Sequence, residues 1–434
     1  MVIKKSENNF IVGSGVYLTT NLLNALIPFI LLPVLTRVLS PGEYGQVAMF
    51  QTLIGLFAAF VGLSVPAAAS RKFYDSNHGA DQLKEFLGAC LHILCMSTVL
   101  TLFFVYVSSE ALVNWLGVTE DWLLLAVVVS STTFVMKLYL GQLQVRGMAL
   151  RYGLMQVAQS FLNFSMSIIL VVYLLEGANG RINAVVLSSL IFSFLSIYFL
   201  RAQNLINIFV WRPGLFSEIL KFGVPLIPHV GGGFLLLTLD RYAIASILGL
   251  DQVGVYMVAV QFSMVAALFF DAFNKAYVPW LFERLKSPDE KIKFRIVRLT
   301  YAWFFVVILG AFLSFYVGPL LIYIFAGEGY AESGGLVGFL VLGQVFGGMA
   351  GMLINYIIFS RKTGILSLIT LISGAVNFCL LLAFVKGLGA VGAAYAFCLS
   401  MGLKFVLSWY FANKKIPMPW LSRRLFLFGG TGFK

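Results

Sequence analysis

The chain alternates long apolar runs with short polar segments from end to end. A membrane-spanning helix needs about 20 mostly apolar residues, and twelve runs meet this requirement. The longest connections, 69–85 and 204–221, are too short to form a soluble domain. We therefore predict an all-α polytopic membrane protein with twelve transmembrane helices, at 11–38, 44–68, 86–108, 122–143, 152–175, 183–203, 222–248, 253–280, 296–318, 334–359, 364–385 and 389–411.

The composition agrees with this pattern. Hydrophobic residues make up 60% of the chain and charged residues 11%, against about 45–50% and about 25% in soluble domains. The four cysteines lie inside apolar runs and the three histidines are scattered, so neither set has the spacing of a metal site. We therefore expect no metal and no cofactor.

The basic residues set the predicted orientation. Cytoplasmic loops carry an excess of Lys and Arg, and with twelve helices nearly all of the Lys and Arg residues that lie outside the spans fall on the side of both termini. Only Arg37, Arg181 and Lys386 fall on the opposite side. Both termini are therefore predicted to be cytoplasmic. The net charge of +12 follows from this distribution and does not indicate nucleic-acid binding.

An amphipathic stretch divides the chain in two. Residues 201–222 mix apolar and charged side chains, and Arg212-Pro213-Gly214 interrupts them. Such a segment is typical of short pieces that lie at the membrane interface. The predicted organisation is an N-lobe of helices 1–6 (1–203), a cytoplasmic linker (204–221), a C-lobe of helices 7–12 (222–412) and a cytoplasmic tail (413–434).

The two lobes resemble each other weakly. Residues 39–51 align with 248–262 at an offset of about 209, which places Gly45 on Gly254. Because each lobe has an even number of helices, this predicts a parallel repeat.

The first helix of each lobe contains helix-breaking residues. Proline removes a backbone hydrogen bond, and interrupted helices at matching positions of two halves indicate a transport pathway. The alternative is that the prolines are merely tolerated, as membrane helices often allow. The predicted breaks are at Pro28 and Pro33 in helix one and at Pro225, Pro228, Gly231, Gly232 and Gly233 in helix seven.

Several charged residues fall inside the predicted spans, where such residues usually face a bundle interior or a water-filled cavity. Asp240 and Arg241 are adjacent, so on a helix they point about 100° apart, and one would serve the architecture and the other a pathway. Asp271 and Lys275 are four residues apart and can pair. For Lys137 a cavity role and snorkelling to the interface are equally compatible with the sequence.

Polar uncharged residues extend this set, although some of them would only join helices. Together the residues suggest a hydrated, net-positive cavity that suits an anionic substrate. The predicted substrate pathway comprises Arg37, Lys137, Gln159, Asn163, His229, Asp240, Arg241, Asp271, Lys275, Gln344, Asn355 and Tyr356.

Two segments resemble a known family. "PFILLPVLTRVLSPGEYGQVAMFQ" and "EILKFGVPLIPHVGGGFLLLTLDRYAIASILGLDQVGVYMVAVQF" are similar to the lobe openings of the polysaccharide exporters (Wzx-type O-antigen flippases). These belong to the multidrug/oligosaccharidyl-lipid/polysaccharide (MOP) exporter superfamily, which includes the MATE transporters. The family's proline-rich helix seven, Asp-Arg pair and Gly-x-Tyr correspond to Pro225, Pro228, Asp240, Arg241, Gly254 and Tyr256.

The resemblance implies a function. Family members move undecaprenyl-diphosphate-linked oligosaccharide repeat units from the cytoplasmic to the periplasmic leaflet of the bacterial inner membrane. They are thought to do so by alternating access coupled to a proton or sodium gradient. The substrate's diphosphate would meet the cavity cations, and a polysaccharide polymerase and chain-length machinery would be possible partners. The resemblance does not imply an enzyme.

Two alternatives remain open. A multidrug antiporter of the same superfamily would favour an acidic cavity for cationic drugs. A membrane-embedded polysaccharide polymerase or transferase would need acid–base groups in accessible loops. The longest outer loops, 108–121 and 323–333, hold a few acidic residues and no His, Lys or Arg, which argues against the enzyme.

Overall fold

The computed structural model is all-helical over the residues that it describes, which are 2–74, 80–116, 118–224, 227–286, 289–360, 364–420 and 422. Side chains are described throughout these ranges except at 2–14, 17–18, 80, 115–116, 228–232 and 235–236. The chain divides into two compact units, Met1–Gly254 and Val255–Lys434.

The first unit contains ten α-helices within the described residues, and a single π-helical segment, Ile168–Tyr173, continues α7. An eleventh helix, α11, begins in this unit and continues into the second. The ten are α1 (Val2–Val38), α2 (Pro41–Val61), α3 (Val65–Phe73), α4 (Ala80–Val107), α5 (Ser109–Leu116), α6 (Glu120–Val145), α7 (Ala149–Ser167), α8 (Gly177–Ala202), α9 (Pro213–Gly223) and α10 (Ile227–Leu248).

The second unit is built from four long helices. They are α11 (Leu250–Leu285), α12 (Glu290–Ala326), α13 (Gly334–Phe359) and α14 (Gly364–Lys415), with a 3₁₀ turn at Glu328–Ser333. Ten helices among the described residues are long and apolar enough to cross a membrane.

The 52-residue helix α14 is two helices joined at Gly389, whose φ of 63° and ψ of −146° are not helical. Ser400 donates a hydrogen bond to Asn377 at 3.2 Å, across 23 residues of chain. In a straight helix these residues would lie about 35 Å apart, so the two halves of α14 must run back along each other. The last two predicted helices, 364–385 and 389–411, therefore correspond to the two halves of α14. The count of twelve and the orientation of the termini stay predictions.

The predicted helix breaks were wrong in the first lobe. Helix α1 continues through Pro28 and Pro33 without interruption. Instead, the predicted helix 44–68 is divided, because Leu63 and Ser64 adopt positive φ values of 40° and 55° between α2 and α3. The Ser97 hydroxyl donates to the Val61 carbonyl, which the end of α2 leaves without a helical partner.

The linker, residues 204–221, is only partly helical, and ion pairs and packing hold it against other helices of the first unit. Helix α9 begins at Pro213, and its Ile219 is fully buried. Lys72 of α3 pairs with Glu218 at 2.6 Å, and Arg212 pairs with Glu85 of α4 at 2.9 Å. These ion pairs fix the position of α9 on α3 and α4.

The starts of α2 and α11 meet at two glycines. A Cβ atom on Gly45 would clash with the Leu250 carbonyl, and one on Gly254 would clash with the Pro41 carbonyl. Both pairs of equivalent residues, Gly45 with Gly254 and Pro41 with Leu250, are separated by the same offset of 209. The two contacts are therefore reciprocal, while the parallel repeat of the lobes stays a prediction.

Candidate functional site

Asp240 and Arg241 lie on α10, about 11 Å along the helix axis before its end at Leu248. Both side chains are buried, at 6% and 9% exposure, so neither faces lipid. The Asp240 carboxylate accepts the backbone N–H of Arg241 at 2.8 Å. The helix that carries the pair packs on α2, where Gly55 leaves room for the ring of Phe234.

Lys137 lies on α6, about 12 Å from the helix end at Val145, and its side chain is exposed. Its ammonium lies 5.1 Å from the centre of the Phe134 ring. That ring occupies the space left by Gly62, and Gly141, one turn beyond Lys137, approaches the Ser70 hydroxyl. This face of α6 therefore points towards the break between α2 and α3.

A lysine beside a broken helix is a candidate ligand for an anion. Irregular backbone at membrane depth is tolerated where it is buried in protein or lines a water-filled cavity, and transporter binding sites are typically built at discontinuous helices. The position of Lys137 thus favours the pathway role over snorkelling to the interface.

The pairing predicted for Asp271 and Lys275 is confirmed in the second unit. The Lys275 ammonium lies 2.6 Å from the Asp271 carboxylate, and the side chains are 44% and 62% exposed. Asp271 is about 21 Å along α11 from its end at Leu285. Because charges at such a depth avoid hydrocarbon, this face of α11 is a candidate wall of a hydrated space.

Asn355 and Tyr356 of α13 form helix–helix hydrogen bonds. The Asn355 amide donates to Asn274 of α11 at 2.8 Å, and the Tyr356 hydroxyl lies 3.3 Å from that of Tyr277. Both side chains are buried, at 5% and 1% exposure. They therefore hold α13 against α11. Gln344, half-buried on the same face of α13 as Asn355, lies three turns away from it.

A similar network ties α7 to α8 in the first unit. Asn163 donates to Ser188 at 2.9 Å. Arg181 donates to the Asn163 side-chain oxygen and to the Ser167 hydroxyl, both at 2.7 Å. Asn163 is thus committed to helix packing, while Gln159, one turn earlier, is half-buried.

Sequence reasoning missed Arg181. It was assigned to an outer loop, but the structure places it in the first turns of α8 with 8% exposure. Its partners Asn163 and Ser167 are four residues apart on one face of α7. Such a polar pair, together with a nearby arginine in an otherwise apolar hairpin, is the signal that would have indicated a buried network.

The remaining predicted residues are placed as follows. Arg37 is exposed in the last turn of α1. Helix α10 runs without interruption through Gly231, Gly232 and Gly233, so the breaks predicted there were wrong as well. Pro228 lies in the first turn of α10. Pro225 is outside the described residues, as are the side chains of Pro228 and His229. Within the described part of the chain, no group of three or more His, Cys, Asp or Glu residues is arranged to hold a metal ion.

Comparison with solved structures identifies the fold. A lipid II flippase, MurJ, in an inward closed conformation superposes with a TM-score of 0.71 at 15% identity, covering 93% of this chain and 87% of MurJ. An inward-facing multidrug resistance MATE family transporter of the MOP superfamily superposes with a TM-score of 0.68 at 17% identity, covering 92% of this chain and 94% of the transporter.

Comparison of sequences identifies the family. An uncharacterized membrane protein of Haemophilus influenzae is 30% identical over 288 residues, 66% of this chain and 68% of that protein. The capsular polysaccharide biosynthesis protein CapF of Staphylococcus aureus is 22% identical over 342 residues, 75% of this chain and 80% of CapF. The profile of the polysaccharide biosynthesis protein family matches residues 10–284. This chain is therefore a multi-pass bacterial membrane protein that belongs to the polysaccharide biosynthesis protein family and has the fold of the MOP-superfamily transporters.

Proposed function

We propose that this protein is a flippase that moves undecaprenyl-diphosphate-linked oligosaccharide repeat units from the cytoplasmic to the periplasmic leaflet. The observation that carries the proposal is the family match over residues 10–284 in a chain with the MOP fold. Polysaccharide repeat units are built on a lipid whose diphosphate must cross the hydrocarbon. A transporter that lowers the barrier for the charged headgroup is the activity that this combination of family and fold supports.

Lys137 in the first unit supports an anionic substrate. It is exposed about 12 Å from the end of an apolar helix and faces a helix break. A lysine ammonium donates charge-assisted hydrogen bonds to phosphate oxygens, and a diphosphate would supply those oxygens. Arg241 is buried beside Asp240, and we expect it to hold the architecture around the pathway or to receive the headgroup when the pathway opens.

We propose that transport follows alternating access and is coupled to a proton or sodium gradient. The exposed carboxylate of Asp271, paired with Lys275 at 2.6 Å, is the described acidic group best placed to take part in such coupling. Opening of the ion pair would make the carboxylate available to a cation. If Asp271 binds Lys275 in one conformation and the cation in the other, binding of the cation would shift the equilibrium between the two conformations.

The test is the leaflet location of the lipid-linked oligosaccharide in a strain that lacks the gene. The deletion is expected to trap the glycolipid in the cytoplasmic leaflet, and the wild-type gene to restore its exposure at the periplasmic face. Lys137→Ala and Arg241→Ala are expected to lower that exposure while the protein stays inserted at the wild-type level. The matched control is Lys386→Ala, which removes an exposed lysine on α14 near the Gly389 turn and should behave as wild type.

The same strain separates the alternatives. If the glycolipid still crosses in the deletion strain but stays as single unpolymerised units, the proposal fails and a polymerase or transferase is supported. If the glycolipid crosses normally and the cells become sensitive to cationic drugs, a multidrug antiporter is supported.

A further inference from the structure

A groove of about 180 Å³ lies on the second unit between α12, the second half of α14 and the segment after α14. It lies on helices that are apolar enough to cross a membrane. Its walls are almost wholly aromatic and aliphatic, and they are formed by Tyr301, Phe304, Phe405, Val406, Trp409 and Trp420.

The groove opens on an apolar surface. Val406 in its wall is 53% exposed, and Tyr410 on the next turn is also 53% exposed. On α12 the neighbouring side chains of Phe305 and Leu309 are 70% and 50% exposed. Because exposed apolar side chains of a membrane-spanning helix face lipid, the medium at the mouth of the groove is hydrocarbon. An empty groove would forfeit dispersion contacts, which an acyl chain would restore.

The chemistry of the wall changes along the helix axis. Arg298 is exposed on α12 one turn before Tyr301, and Phe304 follows one turn after it. The Tyr301 hydroxyl donates to the backbone carbonyl of Trp420 at 2.8 Å. From its start inwards, α12 thus carries first the cation Arg298, then the hydroxyl-bearing ring of Tyr301 and finally the apolar ring of Phe304. A phospholipid has the same order of phosphate, ester oxygens and acyl chain.

Trp420 contributes its ring to the wall of the groove. Its side chain is 3% exposed, and its indole N–H is buried with no hydrogen-bond acceptor among the described residues. Because that nitrogen is itself inaccessible, a lipid in the groove would meet the ring of Trp420 and not its N–H.

From these observations we propose that the groove binds an anionic glycerophospholipid of the cytoplasmic leaflet, with its phosphate at Arg298 and the upper part of one acyl chain between Phe304, Phe405 and Trp409. Lys414 and Lys415, exposed at the end of α14, add positive charge on the same side of the membrane. Basic residues near the surface attract anionic lipids. The proposal does not depend on the flippase proposal.

The test uses the intact purified protein in nanodiscs and the quenching of tryptophan fluorescence by brominated lipids. Trp409→Phe removes one of the two tryptophans that line the groove, so the difference between wild-type and variant emission isolates the signal of Trp409. We expect bromo-phosphatidylglycerol to quench half of that signal at a mole fraction about fivefold lower than bromo-phosphatidylcholine requires. This ratio corresponds to the attraction of one basic residue near the surface for an anionic lipid. Arg298→Gln should remove most of this preference, and Lys414 and Lys415 would account for the remainder.

The matched control is Arg201→Gln, which removes an exposed arginine in the last turn of α8 in the other unit and should leave the preference intact. Equal quenching by the two lipids in the wild type would overturn the proposal, and so would a preference that is as large in Arg298→Gln as in the wild type. Undecaprenyl phosphate serves as the competitor. If it displaces bromo-phosphatidylglycerol at a lower mole fraction than phosphatidylglycerol itself, the groove belongs to a polyprenyl lipid and the phospholipid proposal is wrong.

Discussion

Alanine at Gly45 or Gly254 should weaken the folded protein, although alanine favours helices. Both glycines lie inside helices, α2 and α11, where Gly→Ala normally stabilises by about 0.5–1 kcal/mol. Here, however, the new Cβ atom would overlap the carbonyl of Leu250 or of Pro41. A backbone carbonyl cannot swing aside as a flexible side chain can, so the two helix starts would have to separate.

The magnitude follows from these opposing effects. Overpacking of a close contact costs about 1–3 kcal/mol, and because the obstacle is backbone we expect the upper part of that range. After the gain in helix propensity, each single variant should lose about 1–2 kcal/mol of unfolding free energy. Because both substitutions force apart the same contact, the double variant should lose less than the sum of the two.

The assay is reversible unfolding of the purified protein in mixed micelles, followed by tryptophan fluorescence. The control is Gly310→Ala in α12, where a Cβ atom would meet nothing within 4 Å. This variant should gain about 0.5–1 kcal/mol, the ordinary effect of alanine in a helix. If Gly45→Ala and Gly254→Ala were as stable as Gly310→Ala, the two helix starts would not be in backbone contact and the reasoning would be refuted.

Three further predictions concern the charges and the helix break. A double-mutant cycle of Asp271→Ala and Lys275→Ala should give a coupling of at most about 1 kcal/mol in unfolding free energy, because the pair is largely exposed. If the same two substitutions lowered export additively, the two residues would have separate roles in transport. Ser64→Gly should stabilise the protein by about 1 kcal/mol, since glycine adopts the positive φ of 55° without strain; unchanged unfolding would argue against strain there. Lys72→Met should loosen α9 by removing the 2.6 Å pair with Glu218, which faster proteolysis of the linker would reveal.

Helix positions were predictable because hydrophobic length is a strong signal. A bilayer requires about 20 apolar residues per span, and helices α4, α6, α8 and α13 match the predicted runs to within six residues at each end. The Asp271–Lys275 pair was equally predictable from the sequence, because residues four apart on a helix lie on the same face and can contact each other.

The place of the helix break was not predictable from local sequence. Proline suggested breaks in α1, but the loss of a hydrogen bond is tolerated when neighbouring groups satisfy the carbonyl. Residues 62–64 are Gly-Leu-Ser and carry only a weak turn signal. Their non-helical backbone is supported from other parts of the chain, by the Ser97 hydroxyl on Val61 and by the close approach of Gly223 to the Leu63 carbonyl. Contacts of this kind join residues that are far apart in the sequence, so the local sequence does not predict them.

Burial separates the charges of the membrane region into two groups. Arg181 and Arg241 are almost fully buried, and Arg181 donates to fixed side chains of α7. A buried cation that is already hydrogen-bonded would have to break those bonds to meet a substrate, so it resists recruitment. Lys137 and Lys275 are exposed and can exchange their present partners for a phosphate at little cost. The exposed lysines are therefore able to rearrange, whereas Arg181 holds α7 against α8.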